Sequence, residues 1–318
     1  MVMDGEHVPV MLEEVVGLLS PEAGDRYADL TAGLGGHAAA VGGVLGAGGC
    51  VLLNDLDAGN LGRAAARVGE ACPGLEVVAR HGSFADVPGA GVGPFDCVLA
   101  DLGFASNQVD DPTRGLSFRD DGPLDMRLDP GGFVTAGEVV NETPERDLAD
   151  LIYTYGEERA SRRVASAIVR RRAERRFERT GDLAEVVRRA VPGGRGVGGR
   201  GRARIDPATR TFQALRIAVN GELEMLESLL SSIESGARAV AEGREGWLSP
   251  GARLGVISFH SLEDRPVKRA FLAMEQAGLG ERLTRKPVVA GEAECGSNRR
   301  ARSAKLRGFR VGGSVFGL

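Results

Sequence analysis

The sequence predicts a doubly wound α/β fold built on a parallel sheet and interrupted by a helical insertion. Short apolar runs at Tyr27–Ala32, Cys50–Asp55, Leu75–Arg80 and Phe95–Asp101 recur ~20–25 residues apart, each followed by turn residues. Helical stretches such as Gly59–Val68 lie between them, the alternation that a parallel sheet requires. The rhythm then stops for roughly 150 residues and resumes at Arg253–Phe259, after the turn Ser249-Pro250-Gly251.

Within the gap the pattern is helical. Thr143-Pro144 reads as a cap and first-turn pair, after which Leu148, Leu151, Ile152 and Tyr155 share one face. Asp206-Pro207 makes a second start. Phe212, Leu215, Val219, Leu223, Leu226, Leu230 and Ile233 follow at steps of three and four, predicting one long amphipathic helix that covers the sheet and leads back into it. The expected organisation is a sheet domain from residues 1–105 plus 206–318 and an inserted basic helical domain at 106–205.

Composition excludes several classes. A chain of 318 residues with 42% apolar content can bury a sizeable core. No run approaches the ~18 apolar residues of a membrane span. The start, MVMDGEHVPVMLEEVV, carries acids where a signal peptide needs a basic region, so a cytoplasmic protein without membrane attachment is expected. Cys50, Cys72, Cys97 and Cys295 are scattered, which fits reduced thiols and gives no metal spacing.

The net charge of −4 hides an asymmetry. Between Arg159 and Arg216 there are 17 arginines against five acids, Glu174, Glu178, Asp182, Glu185 and Asp206. Such a run reads either as a solvated face or as a grip on a polyanion. Arginine forks onto phosphates and stacks on bases, and the run passes through the Gly/Arg tract 193–204, which favours nucleic acid. The triplet Arg170, Arg171 and Arg172 is the densest part of this expected grip.

The first βα turn reads Asp29-Leu-Thr-Ala-Gly33-Leu-Gly35-Gly36-His37. Glycines there let a ligand approach the backbone, and the following helix offers free N–H groups, although a purely structural tight turn looks alike. Asp55 ends the second strand, 20 residues after Gly35, where an acid can accept both hydroxyls of a ribose. This pattern serves NAD or S-adenosylmethionine equally, so an oxidoreductase stays open. Position 38 is Ala, which leaves the dinucleotide fingerprint incomplete. Phe84, after the third strand, could stack on adenine or belong to the core. Asp101 ends the fourth strand and is followed by Gly103 and Phe104, and Asp-Leu-Gly-Phe resembles the Asp-Pro-Pro-aromatic element of enzymes that methylate exocyclic amines on bases. Ser258, His260 and Asp264 crowd into too few residues for a hydrolytic triad, and no nucleophile elbow is present.

Longer strings carry a family resemblance. They are His-x-Pro-Val-Met-Leu-x-Glu at 7–14, Asp-x-Thr-x-Gly-x-Gly-Gly-His at 29–37, Asp-Asp-x-x-Arg-Gly-x-Ser-Phe at 110–118 and Gly-Pro-Leu-Asp-Met-Arg at 122–127. Tyr-Gly-Glu-Glu-Arg at 155–159, Pro-Ala-Thr-Arg-Thr-Phe-Gln-Ala-Leu-Arg-Ile at 207–217, Ile-Ser-Phe-His-Ser-Leu-Glu-Asp-Arg at 257–265 and Arg-Ala-Arg-Ser-Ala-Lys-Leu-Arg at 300–307 complete the set. In order and over nearly the whole chain, these resemble the bacterial small-subunit ribosomal RNA methyltransferase H family, the cytosine-N4 methyltransferases of 16S RNA.

The resemblance implies a class I S-adenosylmethionine-dependent methyltransferase, Rossmann-like, with an inserted helical domain. Its acceptor would be a cytidine at the decoding centre, met in an assembled or nearly assembled 30S subunit, and a homodimer is compatible with it. Carried over by position, the donor site falls on Gly35, Gly36, His37, Asp55, Phe84, Asp101 and Gln108, with no metal. Asp101 is also the candidate catalytic group, for donor, acceptor or both, and Phe104 the candidate ring for stacking on the base. Phe104, Ala105 and Asn107 depart from the family's usual Val, Ser and Pro, Asp206 from a common His, and Asn54 begins a variant strand ending. A catalytically silent RNA-binding assembly factor would share the basic segment without needing every donor-site residue.

Overall fold

The computed structural model describes residues 9–191 and 206–312. The Gly/Arg tract 193–204 and the first two residues of the 7–14 string therefore lie outside the described residues. In chain order the elements begin α1 (Leu12–Leu19), β1 (Arg26–Asp29), α2 (Gly36–Leu45), β2 (Cys50–Asp55), α3 (Ala58–Ala71), β3 (Glu76–His81) and β4 (Phe95–Asp101). Then come α4 (Ser106–Asp110), α5 (Ala136–Glu142), α6 (Glu145–Gly156), α7 (Ser161–Glu174), α8 (Thr180–Ala190) and α9 (Ala208–Asn220). The last are α10 (Glu222–Ala241), β5 (Leu248–Ser258), α11 (Ser261–Gln276), β6 (Gly280–Arg282), α12 (Glu292–Ser297) and β7 (Lys305–Val311). Two compact units divide them: Met1–Gly103 with Leu223–Leu318, and Phe104–Glu222.

The first unit is built on a seven-stranded sheet of order β3-β2-β1-β4-β5-β7-β6. The first five strands in that order pair in parallel, and β7 runs antiparallel to both β5 and β6. This is the class I methyltransferase order, with β7 slipped between β5 and β6. Alternation along the strands separates two cores, because successive side chains point to opposite faces. Ala28, Leu52, Val98 and Val256 join Leu226, Leu230 and Ile233 of α10 and Phe271 of α11. Tyr27, Val51, Leu53, Leu99 and Ile257 instead meet Val15 and Leu19 of α1, Val41 of α2 and Val68 of α3. Both faces are covered over the middle of the sheet, so β1, β2 and β4 read as nearly continuous apolar runs, while the edge strand β3 is largely exposed. Trp247 sits against α10, its Nε1–H donating to Ser232 O at 3.1 Å. A Cβ at Gly236 would lie 2.8 Å from that nitrogen, so the helix needs glycine there.

The second unit packs α5 to α9 around Val140, Leu148, Ile152, Ile168, Leu183, Phe212 and Leu215. Asn220 fastens it: its Nδ2 donates to Met126 O and Arg216 O, both at 2.9 Å, and its Oδ1 accepts from Leu128 N–H at 2.8 Å.

Two expectations need correction. The long helix expected after Asp206-Pro207 is two helices, parted at Gly221, which caps α9 in the left-handed conformation (φ 61°). Only α10 covers the sheet; α9 contributes Phe212 and Leu215 to the helical core. The apolar three-and-four pattern runs straight through Asn220-Gly221 and hides a strong stop signal. The antiparallel edge formed by β6 and β7 was also not anticipated, because Lys305–Val311 reads as basic rather than as core.

Candidate active site

The carboxyl ends of β1, β2 and β4 gather the polar groups of the sheet unit. Asp29 ends β1, is 1% exposed, and its Oδ1 accepts from Thr31 N–H at 3.2 Å. Burial pushes its carboxyl up to about 6, opposed by His37 and the Thr31 hydrogen bond and assisted by Asp101. The Thr31 hydroxyl accepts from Asp101 N–H at 2.7 Å, tying the first turn to the end of β4.

Asp55 ends β2 with both carboxylate oxygens already oriented. Oδ2 accepts from Gly33 N–H at 2.7 Å and Oδ1 from Asp57 N–H at 2.8 Å. Burial raises its pKa, and those two hydrogen bonds oppose the rise. Each oxygen has a second lone pair, so the group is aimed by the backbone and can still accept two further hydrogen bonds. That capacity matches the two hydroxyls of a ribose.

The glycines also have a packing role. Gly35 caps α2 with φ 75°, and a Cβ there would lie 2.8 Å from Ala64 Cα of α3. A Cβ at Gly36 would meet Pro9 at 2.9 Å. These two positions are glycine because protein packs against them. The start of α2 receives no side-chain cap. Backbone N–H groups at such a helix start suit a carboxylate or phosphate.

His37 is 6% exposed, and its Nε2 lies 2.9 Å from Val10 O, binding the segment before α1 to the turn. Phe84 opens the 3₁₀ turn after β3 and is 8% exposed within the core shared with α10 and α11. The structure thus brings together Asp29, the turn through Gly36, Asp55 and the Asp101 backbone, with Phe84 in the core.

Phe104 and Gln108 belong to the helical unit. Gln108 is buried, and its Oε1 accepts from Ala105 N–H at 2.8 Å, closing the start of α4. The Arg216 guanidinium lies over the Phe104 ring, 4.6 Å from its centroid, and forks onto Glu222 with two contacts of 2.8 Å. A cation–π contact therefore already engages the ring expected to stack on a base.

Sequence reasoning missed Asn54 as an organiser. It is 1% exposed; its Nδ2 donates to Leu30 O and Gly82 O at 3.0 Å each, and its Oδ1 accepts from Arg80 at 2.8 Å. One amide joins the turns after β1 and β3. An Asn directly before the strand-ending acid was the available signal. Asp206 also has a defined role: Oδ1 caps Ala208 N–H at 2.9 Å, and Arg188 pairs with the carboxylate at 2.9 Å.

Asp264, the acid of the discarded hydrolase reading, is engaged by Arg307 at 2.7 Å and by Lys305 at 3.6 Å. Cys50, Cys72, Cys97 and Cys295 are all free thiols. Among the described residues, no helix is long and apolar enough to cross a membrane.

The chain is 48% identical over 314 residues to the Ribosomal RNA small subunit methyltransferase H of Sorangium cellulosum (strain So ce56), covering 97% of this chain and 92% of that protein. It is 44% identical to the protein of the same name from Syntrophobacter fumaroxidans, with 95% of each chain covered. A solved structure described as a putative rRNA-methylase from Clostridium thermocellum aligns over 96% of this chain and 100% of that one, at 10% identity and TM-score 0.41. The family profile described as the MraW methylase family matches residues 4–311, and the chain belongs to that family.

Proposed function

We propose that this protein transfers a methyl group from S-adenosylmethionine to the N4 amine of a cytidine in the decoding centre of small-subunit ribosomal RNA. Membership of a methylase family removes the nicotinamide oxidoreductase alternative and makes S-adenosylmethionine the methyl donor. The observation that carries the donor half is the Asp55 carboxylate, held at 2.7 Å by Gly33 N–H beside the uncapped start of α2. The acceptor half is supported by relatives named for ribosomal RNA of the small subunit.

The donor, when bound, supplies a sulfonium methyl that carries its own leaving group, so the chain's task is largely alignment. Asp55 would hold the donor's ribose hydroxyls, and the N–H groups opening α2 would hold its carboxylate. Asp101 accepts a hydrogen bond from the cytosine amine, whose lone pair is delocalised into the ring. That bond favours a pyramidal nitrogen as the C–N bond forms and the donor's C–S bond breaks, and Asp101 takes the N4 proton that the methylated amine must lose. Phe104, braced by Arg216, offers its ring to the base. A cytosine in structured RNA must be turned out of its stack or met before the subunit closes over it.

The test is mass-spectrometric mapping of small-subunit RNA from a strain lacking the gene, with wild type or Asp101→Ala restored. A methylated cytidine that disappears on deletion and returns with wild type alone is expected. A mark unaffected by deletion would exclude the reading, and a protein that binds RNA without any lost mark would be the silent assembly factor.

A further inference from the structure

The arginines of the helical unit are not equivalent. Arg176 pairs with Glu142, Arg179 with Asp121, Arg188 with Asp206, Arg189 with Glu185, and Arg210 with Glu158. Two of the three arginines in the densest triplet are also committed. Arg172 donates to Val140 O at 2.7 Å, and Arg171 donates to Arg175 O at 2.9 Å while lying over Phe177. Both thereby brace the helical unit, which sets them apart from Arg170 in the same triplet.

Arg162, Arg163 and Arg170 differ. All three are exposed, and among the described residues none has an ion pair or hydrogen bond from its side chain. At about 100° per residue they fall within one ~100° arc of α7. Val164, Ala165 and Ile168, which are buried, occupy the opposite side. Arg159, also exposed, precedes the helix at the same end. Arg163 and Arg170 stand two turns apart, about 10 Å along the axis.

Two of them, Arg162 and Arg163, are placed against the helix dipole. A helix start favours negative charge, yet the first turn of α7 contains no acid and holds Arg162 and Arg163. Neighbouring Glu158 is buried, its carboxylate accepting from Ala160 N–H at 2.8 Å. Cations that neither pair nor suit the local dipole are explained by an external anion.

We propose that the face of α7 formed by Arg162, Arg163 and Arg170, with Arg159 at its end, is the rail that binds the sugar–phosphate backbone of the RNA substrate, and that the paired arginines take no part. The proposal rests on the RNA-methylating reading above and assigns that reading a surface. Guanidinium groups at this spacing present forked donors to successive phosphates.

The experiment compares two variants with equal loss of charge, Arg163→Gln/Arg170→Gln and Arg176→Gln/Arg189→Gln. Their affinity for a protein-free fragment of small-subunit RNA is followed by fluorescence anisotropy across salt concentrations, and S-adenosylmethionine affinity by titration calorimetry. Each lost phosphate contact should flatten the slope of log affinity against log salt by about 0.7–0.9. The rail variant is therefore expected to lose about 1.5 units of slope, the control almost none, and both should keep donor affinity. Equal slopes in the two variants would overturn the rail. Binding to protein-free RNA unchanged by the rail variant, with binding to intact subunits lost, would also overturn it and assign the face to a ribosomal protein. A wild-type protein whose RNA affinity ignores salt would count against the RNA reading itself.

Discussion

The acids at the carboxyl edge of the sheet and those of the helical unit live under opposite rules. Asp29 and Asp55 are raised above the ordinary carboxylate range, in both cases chiefly by burial, and the hydrogen bonds they accept come from backbone N–H groups. Asp121 is lowered by its hydrogen bond with Arg179 and by Gly181 N–H. In Asp125 burial is outweighed by hydrogen bonds and charge from Arg127, so its pKa is also lowered. Acids of the first kind are oriented yet not neutralised, which leaves them able to accept from a hydroxyl. Acids of the second kind are counter-ions, and they absorb part of the arginine surplus. The arginines that remain on α7 become visible only after that subtraction.

The comparison breaks first at Asp55. Two charge-assisted hydrogen bonds at roughly 1.5–3 kcal/mol each imply that Asp55→Ala lowers S-adenosylmethionine affinity about a hundredfold or more. Calorimetric titration of the folded variant checks this, and unchanged affinity would remove Asp55 from the donor site.

Two asparagines, the buried Asn54 and the half-buried Asn220, sharpen it next. Asn54→Ala and Asn220→Ala each delete three hydrogen bonds. Each should cost about 2–4 kcal/mol of stability in urea unfolding. Donor affinity should weaken in the first and hold in the second, because only Asn54 organises the sheet edge.

A smaller effect follows from pH. Asp29 has its pKa raised to about 6 in the folded protein from an ordinary 3.8, so the unfolded chain loses its proton first. Its contribution to stability is fully present below 3.8 and is lost as pH rises through about 6, by up to roughly 3 kcal/mol. The difference between wild type and Asp29→Asn in urea midpoint should therefore change between pH 4 and 7 and be level above it. A constant difference would mean that Asp29 titrates normally.

The smallest effect belongs to the exposed ion pairs. Arg176→Gln, whose partner Glu142 lies 2.9 Å away with both side chains 62% exposed, should shift stability by no more than about 0.5 kcal/mol. A larger loss would show that the surface pairs hold the helical unit together rather than dispersing its charge.

Much of this was legible in the chain. Strands β1, β2 and β4 could be placed because both faces of a parallel sheet are buried in its interior and such strands are apolar almost throughout, whereas the edge strand β3 was placed by its spacing. Asp55 was visible because an acid rarely ends such a run without a task. The break at Gly221 was not, since the apolar spacing of α9 continues into α10 although the two helices face different cores. Lys305–Val311 was obscured because Arg307 is buried against Asp264, a pairing 43 residues away in sequence.

By itself the sequence determined the first five strands in their order, the acid-ended turns and the basic character of the insertion, all carried by local pattern and composition. Only the tertiary structure decided what each polar group is for. It gave Gly35 and Gly36 a packing role, made Asn54 the fastening between two turns, and divided the described arginines of the helical unit into those with partners and those without. The reason is physical: periodicity and composition are properties of neighbouring residues, whereas a hydrogen bond or ion pair depends on which distant group the fold brings within about 3 Å.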